Sequence, residues 1–208
     1  MKRLLLPSLL ALSLLSACDN DPTKGKPQAV ANAPVAATPA PAGATTFTFS
    51  QAGSSVAFIG AKVTGKHEVK VKEFQGTIQL VDGDPTKSSV QVELTMTSIE
   101  SEPPKFVTHL KSPDLLDVET FPKTTFESTS ITPGTGSATH TVTGNLTLHG
   151  QKKSISFPAT IAVKADGVSV NAEFGILRQD FGVTYPGKPD DLIKDDELVV
   201  LKIDAKKP

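Results

Sequence analysis

The chain has 208 residues, and its 21 lysines and arginines nearly balance its 22 aspartates and glutamates. This balance provides no excess of basic charge, so we predict no nucleic-acid partner. The length suits one medium-sized domain with additional segments. Because tryptophan is absent and tyrosine occurs once, we expect an aliphatic core lined by phenylalanine.

Residues 1–18 have the features of an export signal. Lys2 and Arg3 precede an apolar stretch, Leu4–Leu15, that is too short to span a membrane. The signal ends in LSAC (Leu15–Cys18), which resembles the lipobox of bacterial lipoproteins. In that motif the cysteine is lipidated and becomes the first mature residue. The alternative is an ordinary signal peptide with an incidental cysteine. We favour a lipid anchor at Cys18, the single cysteine of the chain. The expected location is the periplasmic side of the bacterial cell envelope, with the choice of membrane left open.

Residues 19–45 are predicted to form a disordered, Pro/Ala-rich tether. The segment contains five prolines and no leucine, isoleucine or aromatic residue. Such a segment cannot bury enough apolar surface to offset the entropy lost on ordering. As a flexible coil it would reach roughly 30 Å. We therefore place the folded domain at residues 46–208.

From Thr46 onward the apolar residues recur with a period of two, which indicates antiparallel strands with one wet face. Strands are predicted at Phe47–Phe49, Val56–Val63, Val69–Leu80, Ser89–Met96, Thr124–Thr132, His140–Gly150, Ser154–Val163, Val168–Ile176 and Glu197–Asp204. In Val69–Leu80 the apolar parity changes, which predicts a bulge or corner near Lys72–Glu73. About eight such strands without covering helices must close into a barrel or form a sandwich.

The stretch THLKSPDLLDVETFP joins two predicted strands. Ser112 is predicted to be a helix N-cap, with Pro113 at the first helical position and Asp114 in the first turn. Upstream, a short helical turn is expected to pack Phe106 against Leu110. The stretch is either a lid over a barrel mouth or a plain corner, and the sequence leaves both open.

His109, Asp114 and Asp117 resemble an acid–base group, but no nucleophile motif accompanies them. The four histidines lack the spacings of zinc ligands. We therefore predict no catalytic residue, no metal site and no cofactor. His109 is expected to form a hydrogen bond with the backbone or with a carboxylate such as Asp117.

Arg178 and Asp180 continue the inward parity of the strand that ends near Ile176. One interpretation is a polar contact to the head group of a ligand. The alternative, which we favour, is a structural pair that closes the barrel or a strand that ends at Leu177, because an unpaired buried charge is unfavourable.

Four blocks resemble the YceI-like lipid/polyisoprenoid-binding family. They are HLKSPDLLDVETFPKTTFES (His109–Ser128), GNLTLHGQKKSISFP (Gly144–Pro158), FGILRQDFGV (Phe174–Val183) and DDELVVLKID (Asp195–Asp204). The resemblance covers roughly Phe47 to Asp204. It implies an all-β, extended lipocalin-like antiparallel barrel of about eight strands, with one or two short helices, whose elongated apolar cavity holds an isoprenoid chain.

The export signal and the lipobox predict an exported, membrane-tethered protein, and the family resemblance implies that it sequesters or carries a polyprenyl lipid or isoprenoid quinone. Two alternatives are an envelope-stress or interaction protein with a side-chain-filled barrel, and an enzyme that acts on isoprenoid head groups through His109, Asp114 and Asp117. A homodimer is left open. The predicted ligand-binding residues are Phe106, Leu110, Leu115, Leu116, Phe121, Phe126, Leu146, Leu148, Phe174, Ile176 and Arg178.

Overall fold

A computed structural model describes residues 20–36 and 42–208. The predicted export signal and the lipid anchor at Cys18 lie outside these residues. Within the described ranges, no helix is both long enough and apolar enough to cross a membrane.

The described residues form strands connected mainly by short turns. The strands in chain order are β1 (Thr45–Ser50), β2 (Ser55–Lys62), β3 (Gly65–Val71), β4 (Phe74–Val81), β5 (Asp84–Thr95), β6 (Ile99–Glu100), β7 (Lys123–Pro133), β8 (His140–Leu148), β9 (Gln151–Val163), β10 (Gly167–Leu177), β11 (Gly187–Lys188), β12 (Asp191–Leu192) and β13 (Asp196–Lys206). The helical elements described are α1 (Pro104–Lys111) and two short 3-10 helices, Met96–Ser98 and Arg178–Phe181.

Eight strands close into an antiparallel barrel. Their order around the barrel is β1, β4, β5, β7, β8, β9, β10 and β13, and a pairing between Thr48 and Lys206 joins β13 back to β1. Strands β2, β3 and β6 extend the sheet from β13. Closure gives the edge strands partners for their backbone groups. The predicted all-β barrel of about eight strands with a short helix is confirmed.

The alternating apolar residues pack inside the barrel as two adjoining clusters. One contains Phe47, Phe49 and Leu110, so it joins β1 to the helix. The other contains Phe157 and Phe174, whose rings stack with centroids 4.1 Å apart. Phenylalanine and aliphatic residues therefore build the core, as the composition predicts.

The predicted strand Val69–Leu80 is two strands. β3 ends at Val71 and pairs with β2 and β6, whereas β4 begins at Phe74 and pairs with β1 and β5. The change of parity at Lys72–Glu73 therefore marks a corner at which the chain moves to a different part of the sheet. The corner was predicted; the separate positions of its two arms were not.

The prediction that Ser112 begins a helix is wrong, because Ser112 lies at the end of one. Ser112 follows the last residue of α1, has an extended backbone (φ −72°, ψ 165°) and donates hydrogen bonds from its backbone N–H and its Oγ to the carbonyl of His109. Pro113 disfavours a helical conformation in the residue before it, so the helix ends here and turns follow. The upstream helical turn that contains Phe106 and Leu110 is confirmed.

Residues 20–36, which we term the strap, lie against the barrel, which differs from the disordered tether predicted for 19–45. Strands β9 and β10 are paired only between 160–163 and 168–171. Beyond that pairing, the backbone of the strap forms hydrogen bonds with Ser154 of β9 and Gly175 of β10. Ala29, within the strap, is only 2% exposed. The strap is held mainly by backbone groups, which residue composition does not reveal.

Asn145 of β8 faces outward, as its parity predicts, yet it is 1% exposed because the strap covers it. Its side-chain Nδ2 donates to the carbonyl of Val35 at 2.6 Å, and the N–H of Val35 donates to its Oδ1 at 3.0 Å. This bidentate contact fixes the end of the strap to a third strand of the barrel.

Candidate ligand-binding cavity

The barrel encloses an apolar cavity of about 240 Å³. Its wall is formed by residues of the barrel strands and of the added strands β2 and β3, and representative residues are Val69, Ile78, Val92, Phe126, Phe174 and Leu201. Apolar walls of this kind bind apolar chains because burial removes the chain from water without displacing strong hydrogen bonds.

Most of the predicted ligand-binding residues line this cavity. They are Phe106, Leu110, Leu115, Leu116, Phe126, Leu146, Leu148, Phe174, Ile176 and Arg178. Phe121 is not among the lining residues; its ring packs against His149 with centroids 4.6 Å apart and lies beside Gly150. Because Phe121 does not line the cavity, the structure does not support the prediction that it contacts a ligand.

The helix α1 and the turns after it form part of the cavity wall. Phe106 and Leu110 of α1 line the cavity together with Leu115 and Leu116. The ring of Phe106 stacks on His67 of β3 at a centroid distance of 4.3 Å, which holds the helix against the sheet. The helix and the turns after it therefore line the cavity, and their role as a lid stays a prediction.

The acid–base residues lie outside the cavity wall. His109 Nε2 is 3.4 Å from Asp114 Oδ2, and both side chains are largely exposed. The ring of His109 also contacts the ring of Tyr185 edge-on. Asp114, rather than the predicted Asp117, is therefore the carboxylate beside His109. The enzyme alternative requires these groups to meet a bound head group, and none of them lines the cavity.

Arg178 is buried, and each nitrogen of its guanidinium has a partner in the protein. Its Nε donates to the carbonyl of Lys194 at 3.1 Å, its NH1 to the carbonyl of Val183 at 2.7 Å, and its NH2 lies 3.0 Å from Asp195 Oδ1. Arg178 does not pair with Asp180, because a 3-10 turn leaves Asp180 exposed. The other form of the structural alternative that we favoured is confirmed, since β10 ends at Leu177.

Glu197 of β13 is a cavity residue that the sequence analysis missed. Its Oε2 is closed to solvent and has no hydrogen-bond partner among the described residues, as is also true of Thr124 Oγ1 on the same cavity wall. The signal was present, because Glu197 has the same parity as Val199, Leu201 and Ile203, which also line the cavity.

Loss of hydration raises the pKa of the Glu197 carboxyl to about 8. The positive charge of Arg178 opposes this rise, and the negative charges of Asp195 and Asp196 add to it. The carboxyl is therefore mostly neutral at pH 7, and a neutral carboxyl can both donate and accept a hydrogen bond.

Within residues 20–36 and 42–208, no group of three potential metal ligands from histidine, cysteine, aspartate and glutamate comes together.

Lys62, which borders the cavity, forms an ion pair with Asp191, and the hydrogen bond from Lys62 lowers the pKa of that aspartate.

Comparisons with known proteins agree with the barrel. A UPF0312 protein of Pseudomonas putida strain F1 is 34% identical to this chain over 122 residues. The match covers 56% of this chain and 63% of that relative. The chain thus matches less than two thirds of the length of such relatives. The corresponding protein of Pseudomonas fluorescens SBW25 is 32% identical over the same length.

Solved structures show the same fold at low identity. BcnA of Burkholderia cenocepacia superposes with a TM-score of 0.67 at 21% identity, covering 75% of this chain and 98% of BcnA. A polyisoprenoid-binding domain of Saccharophagus degradans superposes with a TM-score of 0.63 at 15% identity, covering 79% of this chain and 99% of that domain. The model of the YceI-like domain matches residues 47–206, nearly all of the barrel. The chain therefore belongs to the YceI-like domain family.

Proposed function

We propose that this protein binds a long isoprenoid lipid, such as a polyprenyl lipid or an isoprenoid quinone, and carries or sequesters it. The observation that carries the proposal is the cavity inside the barrel, whose wall is almost entirely apolar. A methyl-branched hydrocarbon chain offers only apolar contacts, so an apolar interior matches it. The name of the Saccharophagus degradans domain, which describes polyisoprenoid binding, supports the same ligand class.

The alternative of a side-chain-filled barrel requires a packed interior. The unfilled volume of about 240 Å³ counts against it. Protein interiors otherwise contain few voids larger than a water molecule, since empty apolar space forfeits packing energy. A retained cavity is better explained by an occupant than by structural need.

Membrane attachment through Cys18 is part of the proposal, and the docked position of the strap supports it. Only Asp19 separates Cys18 from Asn20, whose Nδ2 donates to the carbonyl of Val63 at 2.8 Å. A lipid on Cys18 would therefore hold this end of the barrel against the bilayer, rather than at the end of a tether of roughly 30 Å. The ligand would then pass directly between bilayer and barrel.

The test is mass spectrometry of organic extracts from the natively purified, full-length protein, before and after incubation with isoprenoid quinones. We expect an isoprenoid lipid in stoichiometric amounts. Extracts that contain no apolar ligand even after incubation would contradict the proposal. Mass spectrometry of the intact protein would separately test the anchor, because lipidation at Cys18 adds the mass of acyl chains, and Cys18→Ser removes them.

A further inference from the structure

Two polar atoms that lack a partner belong to residues of the cavity wall. Glu197 Oε2 and Thr124 Oγ1 are both closed to solvent, and neither has a hydrogen-bond partner in the described part of the chain. A buried polar group that lacks a partner is destabilising, by an amount comparable to a lost hydrogen bond or more. A ligand atom that forms the missing hydrogen bond would remove that destabilisation.

The sheet makes room for the Glu197 carboxyl. Gly60 of β2 lies beside it, and a Cβ atom at Gly60 would lie 2.7 Å from Glu197 Oε2. Any side chain at this position would displace the carboxyl or cover it. Gly60 and Glu197 both line the cavity, so the carboxyl lies at the cavity wall, beside a position that has no side chain.

Each basic side chain on the described cavity wall already has a partner. Among the described lining residues, Arg178 pairs with Asp195, Lys62 pairs with Asp191, and His67 Nδ1 lies 3.2 Å from the carbonyl of Glu102 while its ring stacks on Phe106. An anionic phosphate head group would meet no uncommitted positive charge here and would lie near a carboxyl. Phosphate recognition normally relies on such charges.

We propose that Glu197 holds the polar head of the ligand, and that this head is neutral and carries a hydrogen-bond-accepting oxygen, such as a quinone carbonyl or an alcohol. The inference rests on the proposed isoprenoid function and specifies its head group. The protonated carboxyl donates to the ligand oxygen, and Thr124 offers a second polar contact on the same wall. An isoprenoid phosphate is disfavoured by the same geometry.

Ionisation of Glu197 separates the two neutral head groups. The charged groups that act on it are Arg178 at the end of β10 and Asp195 and Asp196 on its own segment. The other basic residues of the cavity wall are Lys62 on β2 and His67 on β3. Once ionised, Glu197 no longer donates to a quinone carbonyl. It still accepts from an alcohol, which carries its own proton.

The experiment measures the affinity of the full-length protein for four ligands with the same isoprenoid tail: a benzoquinone, an alcohol, a monophosphate and the bare hydrocarbon. We expect the quinone and the alcohol to bind about tenfold more tightly than the hydrocarbon at pH 6, and the phosphate to bind more weakly than both. At pH 9.5 the quinone should lose about tenfold, whereas the alcohol should retain its affinity.

Two variants of Glu197 separate its chemistry from its packing. Glu197→Leu should bind all heads about as tightly as the hydrocarbon. Glu197→Gln keeps an N–H donor, so it should bind the quinone at both pH values and lose the pH dependence. The Gln variant is nearly isosteric, so it tests the proposal even if the Leu variant folds poorly.

Two outcomes would overturn the head-group assignment while leaving isoprenoid binding intact. One is a phosphate that binds most tightly, and the other is an order of affinities that Glu197→Leu does not change. Failure of all four ligands to bind, the hydrocarbon included, would instead overturn the proposed function together with the inference.

Discussion

Asn32 and Ser154 exchange two backbone hydrogen bonds, of 2.8 and 3.0 Å, and so attach the strap to β9 as an added antiparallel strand would be attached. On the other side, the strap forms the same kind of contact with Gly175 of β10, in the parallel sense. The strap therefore bridges the part of the sheet where β9 and β10 are not paired. Part of the barrel wall comes from the segment that leads to Cys18.

A charge placed under the strap should release it. Ala29→Glu puts a carboxylate at a position that is 2% exposed, so we expect a loss of about 2–4 kcal/mol in the free energy of unfolding. Hydrogen exchange should accelerate at the N–H groups of Ser154 and Gly175, which donate to strap carbonyls. The matched control is Val30→Glu, one residue along at 66% exposure. Equal effects of the two substitutions would show that the strap is not docked in solution.

Asn145 should stabilise the protein only through the strap. Asn145→Ala removes both contacts with Val35, and we expect a loss of about 1–2 kcal/mol, measured by denaturant unfolding. Asn171→Ala, at an exposed amide on β10, is the control and should have little effect. In a variant that lacks residues 20–36, Asn145→Ala should have almost no effect. An undiminished loss in that background would contradict the role of the contact.

The sequence predicted the barrel well because its signal is local. The inward parity of Val90, Val92 and Leu94, for example, follows from the period of two, and these residues line the cavity. The strap escaped prediction because its side chains are small and its docking depends on backbone groups left unpaired by β9 and β10. The prediction for Ser112 was wrong because Ser followed by Pro is typical of a helix start. Here Ser112 instead follows the last residue of α1 and ends that helix.

Within the cavity, the apolar lining followed from parity, but the polar features did not. Arg178 was correctly placed inside, yet its partner Asp195 comes from a loop whose path no local pattern specifies. Glu197 followed the same parity as Val199, and we missed it because it stands in a run of acidic residues. Burial, and therefore the raised pKa, depends on the closed barrel.

The neutral Glu197 should make stability fall as the pH rises. In the unfolded chain its carboxyl ionises near 4.5, whereas in the folded protein its pKa is about 8. Between these values the unfolded state binds fewer protons, so the free energy of unfolding decreases with pH. Glu197→Gln should be stabilising by a margin that grows from pH 4.5 to pH 8 and reaches a few kcal/mol. Glu73→Gln, at the exposed corner, is the control. A margin that is constant across this range would contradict the assignment.

The exposed apolar residues near Asn20 should speed transfer of ligand from a bilayer. Val63 and Leu192 are 60% and 49% exposed and adjacent, since the N–H of Val63 donates to the carbonyl of Leu192 at 3.1 Å. Apolar side chains beside an anchor point can enter the interfacial region of a bilayer. We expect Val63→Ser with Leu192→Ser to slow the uptake of a fluorescent isoprenoid quinone from vesicles severalfold, with its equilibrium affinity unchanged. The control is Val163→Ser, 38% exposed at the turn between β9 and β10, at the opposite end of β13. If the control slows uptake equally, the residues near Asn20 do not form the contact with the membrane.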